Sequence, residues 1–157
     1  MAHTEHRSDD KTVATNRKAR HDYTLVEILE CGIQLTGTEV KSLRLGQASL
    51  VDCFARVRGG ELWLEGMHIP PYEQGQTKGY DPIRPRKLLL HRREIERLLG
   101  KTKEQGLALI PMRVYFTHGL AKVEIGLGKG RREHEKRQSI AKREAEREME
   151  RAAGRRR

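Results

Sequence analysis

The stretch that decides the fold is LALIPMRVYFTHGLAKVEIGL, residues Leu107 to Leu127. Both halves are rich in β-branched, aromatic and aliphatic side chains, and the dipeptide His118-Gly119 separates them. Two apolar runs that flank a short turn containing glycine are typical of a β-hairpin. The stretch therefore predicts two long antiparallel strands, 107–117 and 120–127.

Further strands are predicted upstream of this hairpin. Residues 48–58 and 61–69 flank Gly59-Gly60. In the second of these segments, Leu62 and Leu64 alternate with Trp63 and Glu65. Such alternation predicts a sheet with one buried and one solvated face. Residues 23–35 predict another strand, which Gly32 interrupts with a bend or bulge.

Helical signals are few. Thr38 is the expected cap of a short helix that ends at Gly46. Residues 92–99 predict an amphipathic helix that Gly100 stops, followed by one further turn over 101–105. Because helices do not alternate with the strands, a doubly wound sheet is excluded. We predict a mainly β fold, an OB-like antiparallel barrel of about six strands with one medium and one or two short helices, plus a basic C-terminal tail.

Segment 70–86 interrupts this pattern, since it holds four of the five prolines. Loops of this length inside a compact domain are usually functional or mobile. Its role is left open by the sequence.

Positive charge is concentrated at the end of the chain. Charged residues make up 34% of the sequence, against about 25% in typical domains, and the net charge is +10. Residues 129–157 hold twelve Lys and Arg against six Glu. Such a balance indicates a nucleic-acid partner. We predict three parts: a disordered segment 1–15, an OB-like barrel 16–128 and a basic tail 129–157.

The cysteines and the hydropathy pattern indicate where in the cell the protein is located. Cys31 and Cys53 fit neither metal-ligand spacing nor a disulfide framework and predict buried thiols in a reducing environment. No apolar run approaches the ~18 residues that a membrane span needs, and the N-terminus lacks the apolar region of a signal peptide. A cytoplasmic location is expected.

Motifs for catalysis and cofactor binding are missing from the sequence. The seven histidines form no His-x-x-x-His pair, and no phosphate-binding glycine loop occurs. We therefore predict no metal, no cofactor and no catalytic residues, and expect a binding protein. The few aromatic residues favour recognition of a folded RNA by shape and phosphate contacts over base stacking along a single strand.

Four motifs resemble those of one known family, in their order and spacing. They are NRKARHDY at 16–23, GTEVKSLR at 37–44, DPIRPRKLLLH at 81–91 and KGRR at 129–132. Residues 16 to about 150 are on this basis similar to the SsrA-binding (small protein B) family.

The resemblance implies a protein that binds the tRNA-like domain of transfer-messenger RNA (SsrA RNA) and enters the vacant A site of stalled bacterial ribosomes with it. The RNA then supplies the reading frame for a degradation tag, a process called trans-translation, and the protein catalyses nothing. Alanyl-tRNA synthetase and elongation factor Tu are implied only as indirect partners, through the RNA. By matching position, the implied RNA contacts are Arg17, Lys18, Arg20, His21, Glu30, Leu89, His91 and Lys122.

The tail is implied to probe the ribosomal decoding centre and the empty mRNA channel. Its implied ribosome contacts are Lys129, Gly130, Arg131, Arg132, His134, Glu135, Lys136 and Arg137. The family commonly has Lys-Lys at Arg131-Arg132 and Asp at Glu135. Beyond Lys136 the composition favours a helix, but the apolar stripe is too narrow to dock firmly. We therefore predict a tail that is disordered when free and helical when bound.

Two other functions remain open from the residues alone. One is a general single-strand RNA-binding or ribosome-associated structural protein with the same fold. The other is a metal-free ribonuclease that uses His and Lys side chains.

Overall fold

The computed structural model describes residues 10–75, 77–131 and 133–155, and these ranges contain seven strands and four helices. The strands are β1 (Lys11–Thr15), β2 (Tyr23–Ile33), β3 (Phe54–Arg58), β4 (Glu61–Glu65), β5 (Arg86–Leu89), β6 (Ala108–Thr117) and β7 (Leu120–Gly130). The helices are α1 (Arg17–Asp22), α2 (Gly37–Arg44), α3 (Arg92–Gln105) and α4 (Glu133–Arg155).

Six of the strands close into a ring. The antiparallel order β6-β3-β4-β5-β2-β7 is completed by pairing between β7 and β6, and β1 adds to the free part of the β6 edge. Strands β3 and β6 meet at one pair, Ala55 and Leu109. The ring confirms the predicted OB-like antiparallel barrel.

Both predicted hairpin turns are present, at Gly59-Gly60 and at His118-Gly119. All four residues have positive φ, between 49° and 77°. When both residues of a two-residue turn adopt positive φ, the turn matches the twist of the flanking strands. Glycine does so without steric cost, and histidine does so rarely.

The barrel interior is filled by aliphatic side chains, and α3 packs against it. Ile95 and Leu98 of α3 belong to the same core cluster, and Leu98 is fully buried. Burying a side chain of this size contributes about 1.5–3 kcal/mol. Completely buried core residues of the barrel include Leu43, Leu62, Leu64, Leu88, Ile125 and Leu127.

A second, smaller cluster fixes α1 to the outside of the sheet. Ala19 of α1 packs with Ile110 and Met112 of β6. The neighbouring residue of β7 is Gly126, where an added Cβ would lie 2.8 Å from Cδ2 of Leu25 and 3.1 Å from Cγ of Met112. The absence of a side chain on β7 therefore makes room for this cluster.

Helix α2 begins with a capping box. The side chain of Thr36 accepts a hydrogen bond from the Glu39 N–H, and the Thr36 N–H donates to Glu39 Oε1 at 2.8 Å. Thr36, not Thr38 as predicted, is therefore the cap. The reciprocal pair satisfies two backbone donors that the first helical turn would otherwise leave open.

The Glu39 carboxylate also joins α2 to the proline-rich segment. It accepts hydrogen bonds from Arg84 and Arg86. Arg86 is fully buried and donates further to the carbonyls of Met67, at 2.6 Å, and Pro82, at 3.1 Å. The long segment is thus fixed to α2 and to the start of β5.

The N-terminal prediction is wrong for its last five residues. Lys11–Thr15 forms β1 and pairs with β6, and Arg113 of β6 donates to Thr12 at 3.1 Å and Asp10 at 3.5 Å. These partners lie a hundred residues away in the sequence, so no local pattern indicates the strand. Residues 1–9 lie outside the described residues.

Helix α3 is also longer than predicted. It continues through Gly100 to Gln105 and ends at Gly106, whose φ of 63° is left-handed. A glycine inside a helix costs about 1 kcal/mol relative to alanine, and the packing of α3 against the barrel offsets this cost.

Both cysteines are buried, as predicted. Burial raises the pKa of each thiol to about 12, so neither is a reactive thiolate near neutral pH. None of the four described helices combines the length and the apolar composition that a membrane span needs.

Candidate nucleic-acid interface

Two of the predicted RNA contacts lie in one row across three strands. Leu89 of β5 is paired with Gly32 of β2, and Gly32 is paired with Lys122 of β7. Residues directly opposite each other in antiparallel strands point to the same face. The sheet therefore places an apolar side chain and a cation on either side of a glycine.

Leu89 is 50% exposed, so it is not a core residue. Gly32 keeps the row open, because a Cβ at this position would lie 3.1 Å from Cβ of Leu89. Leu89, Gly32 and Lys122 line a groove of about 260 Å³ together with Phe116 and Leu120. The groove offers apolar surface beside a positive charge.

Glu30 lies on the same face as Gly32, because the two residues are two positions apart on β2. Its carboxylate accepts a hydrogen bond from the hydroxyl of Tyr115, which is fully buried. Burial raises the pKa of Tyr115, and the hydrogen bond to Glu30 adds to the effect. The hydroxyl therefore stays protonated and holds the carboxylate in place.

A buried arginine supports Tyr115 from behind. The guanidinium carbon of Arg113 lies 3.8 Å from the centre of the Tyr115 ring. Arg113 Nε also donates to Glu124 Oε2 at 3.3 Å, and its other nitrogens reach Thr12 and Asp10. These contacts link β1 to Glu30 through the buried side chains of Arg113 and Tyr115. They therefore hold the Glu30 carboxylate in a fixed position. Tyr115 and Arg113 were not among the predicted contacts, since each meets its partners only through strand register.

His91 lies at the start of α3, two residues after Leu89. It is exposed and occupies the N-cap position, yet its side chain makes no capping hydrogen bond. Its ring nitrogens are therefore not used by the helix end.

The remaining predicted barrel contacts lie on α1. Arg17, Lys18 and Arg20 are exposed, and His21 Nδ1 lies 3.3 Å from Asp22 Oδ1. The helix itself was not predicted, although Asn16 caps it by accepting from the Ala19 N–H at 3.2 Å. An asparagine that precedes a short alanine-containing run is a signal that could have indicated it.

The structure therefore separates the predicted contacts into two groups at opposite ends of β2. Lys129 is paired with Thr24, close to α1, whereas Lys122 is paired with Gly32. Eight residues of strand correspond to about 26 Å. The first group is Leu89, Glu30, His91 and Lys122, and the second is α1 with Lys129.

The root of the predicted tail belongs to the barrel. Gly130 is paired with Tyr23, the Arg131 N–H donates to the Asp22 carbonyl at 2.8 Å, and Arg131 Nε donates to Thr24 Oγ1 at 3.2 Å. The boundary thus falls about three residues after the predicted position at residue 128.

Beyond this root, α4 runs from Glu133 to Arg155. All side chains of 141–154 are exposed, and Met149 is 72% exposed. The apolar stripe is therefore not docked on the barrel over this range, as its narrowness predicted. Whether the free tail is ordered stays a prediction. Arg132 and the side chains of His134, Glu135, Lys136 and Arg137 lie outside the described residues.

Comparison with known proteins places the whole arrangement in one family. A family model described as SmpB protein matches residues 13–155, from β1 to the end of α4. This chain belongs to the SmpB family. The resemblance stated from the four motifs is thereby confirmed.

Individual SmpB relatives match over almost the whole chain. The SsrA-binding protein of Salinispora arenicola is 63% identical over 146 residues, which cover 93% of this chain and 92% of that protein. The SsrA-binding protein of Desulforudis audaxviator is 62% identical over 147 residues, covering 94% and 96%.

A solved structure of an SmpB chain has the same fold. It is described as "tmRNA-SmpB: a journey to the center of the bacterial ribosome" and is 48% identical, with a TM-score of 0.64. The match covers 81% of this chain and 93% of the other. Sequence and fold therefore agree on the family.

Proposed function

We propose that this chain binds transfer-messenger RNA (SsrA RNA) and acts with it on stalled ribosomes in trans-translation. The observation that carries the proposal is the match over more than nine-tenths of the chain to proteins named for SsrA binding. The solved structure that pairs tmRNA with SmpB at the bacterial ribosome supports it. The protein acts in this scheme as a binding partner in the cytoplasm and not as an enzyme.

The first group of residues forms the surface for the tRNA-like domain. Lys122 supplies a positive charge for a phosphate, and Leu89 supplies an exposed apolar surface for a ribose or base. Glu30 presents a carboxylate that accepts from a base amino group or a 2′-hydroxyl. His91 adds a further polar group, because its side chain makes no capping hydrogen bond to α3. Recognition on this surface is by shape and a small number of fixed polar groups.

Helix α4 is the ribosome-directed part. The basic and acidic side chains of residues 141–154 are all exposed, so they make no stabilising contact with the barrel. The partner of α4 therefore lies outside this chain. Ribosomal RNA lining a channel would pair with the cationic side chains. The cost of ordering the tail would then be offset only where the channel is empty of mRNA.

An electrophoretic mobility shift with a transcript of the tRNA-like domain tests the proposal. We expect the full chain to bind the transcript in the presence of excess poly-U. Lys122→Ala should weaken binding several-fold, whereas Lys103→Ala, an exposed cation on α3, should leave it unchanged. Loss of the complex to poly-U would instead favour a general single-strand binder.

A truncation separates the two surfaces. The cut belongs after Arg132, because Gly130 and Arg131 still bond to the barrel. A chain of residues 1–132 should bind the tRNA-like domain within about threefold of the full chain, and it should fail to support tagging on stalled ribosomes. Loss of transcript binding on truncation would contradict this division.

A further inference from the structure

One aromatic side chain is presented to solvent without a role in the surfaces described above. Among the phenylalanine, tyrosine and tryptophan residues that the structure describes, Phe54 alone is exposed, at 48%, and the others are buried or half-buried. Val51, three residues earlier, is 72% exposed. Exposed apolar side chains that lie together mark interaction sites more often than isolated ones do.

The turn that presents them has a fixed and strained conformation. Asp52 has a φ of 56°, in the left-handed region that non-glycine residues rarely adopt. Gly66 packs against it so closely that an added Cβ would lie 2.9 Å from the Asp52 carbonyl oxygen. Such strain costs on the order of 1–3 kcal/mol and tends to occur at functional sites. Phe54 thus follows a rigid turn.

Cations of α1 face this turn across a groove. Phe54 and Lys18 line a groove of about 150 Å³, and Val51, Arg17 and Lys18 line an adjoining one of about 410 Å³. The side of α1 carries three exposed cations, and its first turn carries no acid. Asp52 and Asp22 also line these grooves, one for each of the lining cations Arg17 and Lys18, and exposed Arg20 of the same helix adds a third positive charge.

The groove is separate from the surface proposed for the tRNA-like domain, because its one β2 residue, Tyr23, lies at the opposite end of that strand from Glu30 and Gly32. In the six-strand ring, β3 is three strands away from β2 in either direction. Phe54 begins β3, whereas Glu30 and Gly32 lie on β2. An RNA bound along β5, β2 and β7 would leave the groove accessible to another RNA.

We propose that the Phe54 surface, formed by Val51, Phe54, Arg17 and Lys18, binds an unpaired nucleotide of ribosomal RNA. The base stacks on the Phe54 ring, and the phosphate lies against Lys18 and Arg17. An aromatic face accepts any base, and lysine and arginine side chains neutralise phosphates. The proposal rests on the proposed function and assigns α1 to the ribosome instead of the tRNA-like domain.

Equilibrium binding of full-length variants to vacant 70S ribosomes and to the tRNA-like domain transcript tests the site. Phe54→Leu keeps the apolar volume and removes the π face, so it should weaken ribosome binding roughly 5- to 100-fold. Phe54→Tyr keeps the ring and should bind within about twofold of the wild type. Both variants should bind the transcript normally. Ile83→Ala, which truncates a 56% exposed apolar side chain elsewhere, is the control and should change neither affinity.

Each alternative outcome overturns the proposal in a recognisable way. Unchanged ribosome binding by Phe54→Leu removes the site altogether. Equal losses of ribosome affinity for Phe54→Leu and Phe54→Tyr would indicate a contact with a ribosomal protein that requires the apolar edge of the Phe54 ring. A stacked base would tolerate the tyrosine ring. A loss confined to the transcript assigns the surface to the first RNA. Failure of the wild-type chain to bind the transcript refutes the proposed function, independently of the Phe54 variants.

Discussion

The Glu39–Arg86 pair gives the sharpest prediction about stability. In Glu39→Gln the carboxylate is replaced by a neutral amide of nearly the same shape. Glu39 is 1% exposed and Arg86 is 0% exposed, so the Arg86 guanidinium would keep its carbonyl partners but lose its buried counter-charge. Removing one member of a buried ion pair costs about 3–5 kcal/mol. For a domain of this size, that corresponds to a fall in Tm of roughly 6–20 °C.

Glu27→Gln is the matched control. The Glu27 carboxylate accepts two hydrogen bonds from Arg97, at 2.6 and 2.7 Å, but the two side chains are 28% and 37% exposed. Solvent screens such a pair, and its removal should cost about 1 kcal/mol or less. Urea unfolding, followed by circular dichroism and by Trp63 fluorescence, measures both variants. A cost for Glu39→Gln no larger than that for Glu27→Gln would refute the reasoning.

The same variant should change the pH dependence of stability. Burial is the largest influence on the Glu39 pKa and would raise it, but the hydrogen bonds from Thr36, Arg84 and Arg86 together lower it below the ordinary value of 4.5. A carboxyl group with a depressed folded pKa stabilises the fold above its unfolded pKa. This contribution is lost as the pH falls through the folded pKa. Glu39→Gln should therefore show less loss of stability than the wild type below about pH 4.5.

Three further outcomes are expected. Tyr115→Phe should weaken binding of the tRNA-like domain about fivefold, since it removes one hydrogen bond. The effect should vanish in a Glu30→Ala background, which has no side-chain acceptor for the Tyr115 hydroxyl, and full additivity in the double variant would show that Tyr115 does not act through Glu30. Gly128→Ala should lower the free energy of unfolding by about 1–3 kcal/mol, because the new Cβ would lie 2.9 Å from the backbone carbonyl oxygen of Thr24 on the paired strand; an unchanged urea midpoint would show that the two strands adjust without cost. Amide exchange in the free protein should be fast across 135–150, and strong protection there would contradict a tail that orders on binding.

Turn chemistry explains which parts of the fold could be predicted. Gly59-Gly60 and His118-Gly119 demand positive φ and lie between apolar runs, so both hairpins follow from local sequence. Lys11–Thr15 has no such signal, because its ordering depends on Arg113 and the edge of β6. The continuation of α3 through Gly100 likewise depends on the packing of this helix against the barrel. Helix propensities, which describe single residues, do not include that packing.

The candidate site divides in the same way. Lys122 and Leu89 could be named by matching position in the family, but their alignment on either side of Gly32 depends on the register of two strand pairs. The Tyr115–Glu30 hydrogen bond joins residues 85 positions apart, and only the closed ring brings them together. The exposure of Phe54 could not be predicted for another reason, because an isolated aromatic residue in a strand is more often buried than exposed.

The junction between barrel and tail has a mechanical consequence. Strands β2 and β7 are antiparallel and are paired from Tyr23–Gly130 to Gly32–Lys122, and α4 leaves from the end of β7. Tension applied to α4 along the direction of β7 would load all these hydrogen bonds at once, in shear, instead of opening them one after another. The barrel and the root of the tail should then move as one rigid lever, so that a displacement of the captured tail is transmitted to the opposite end of β2, next to Glu30 and Lys122.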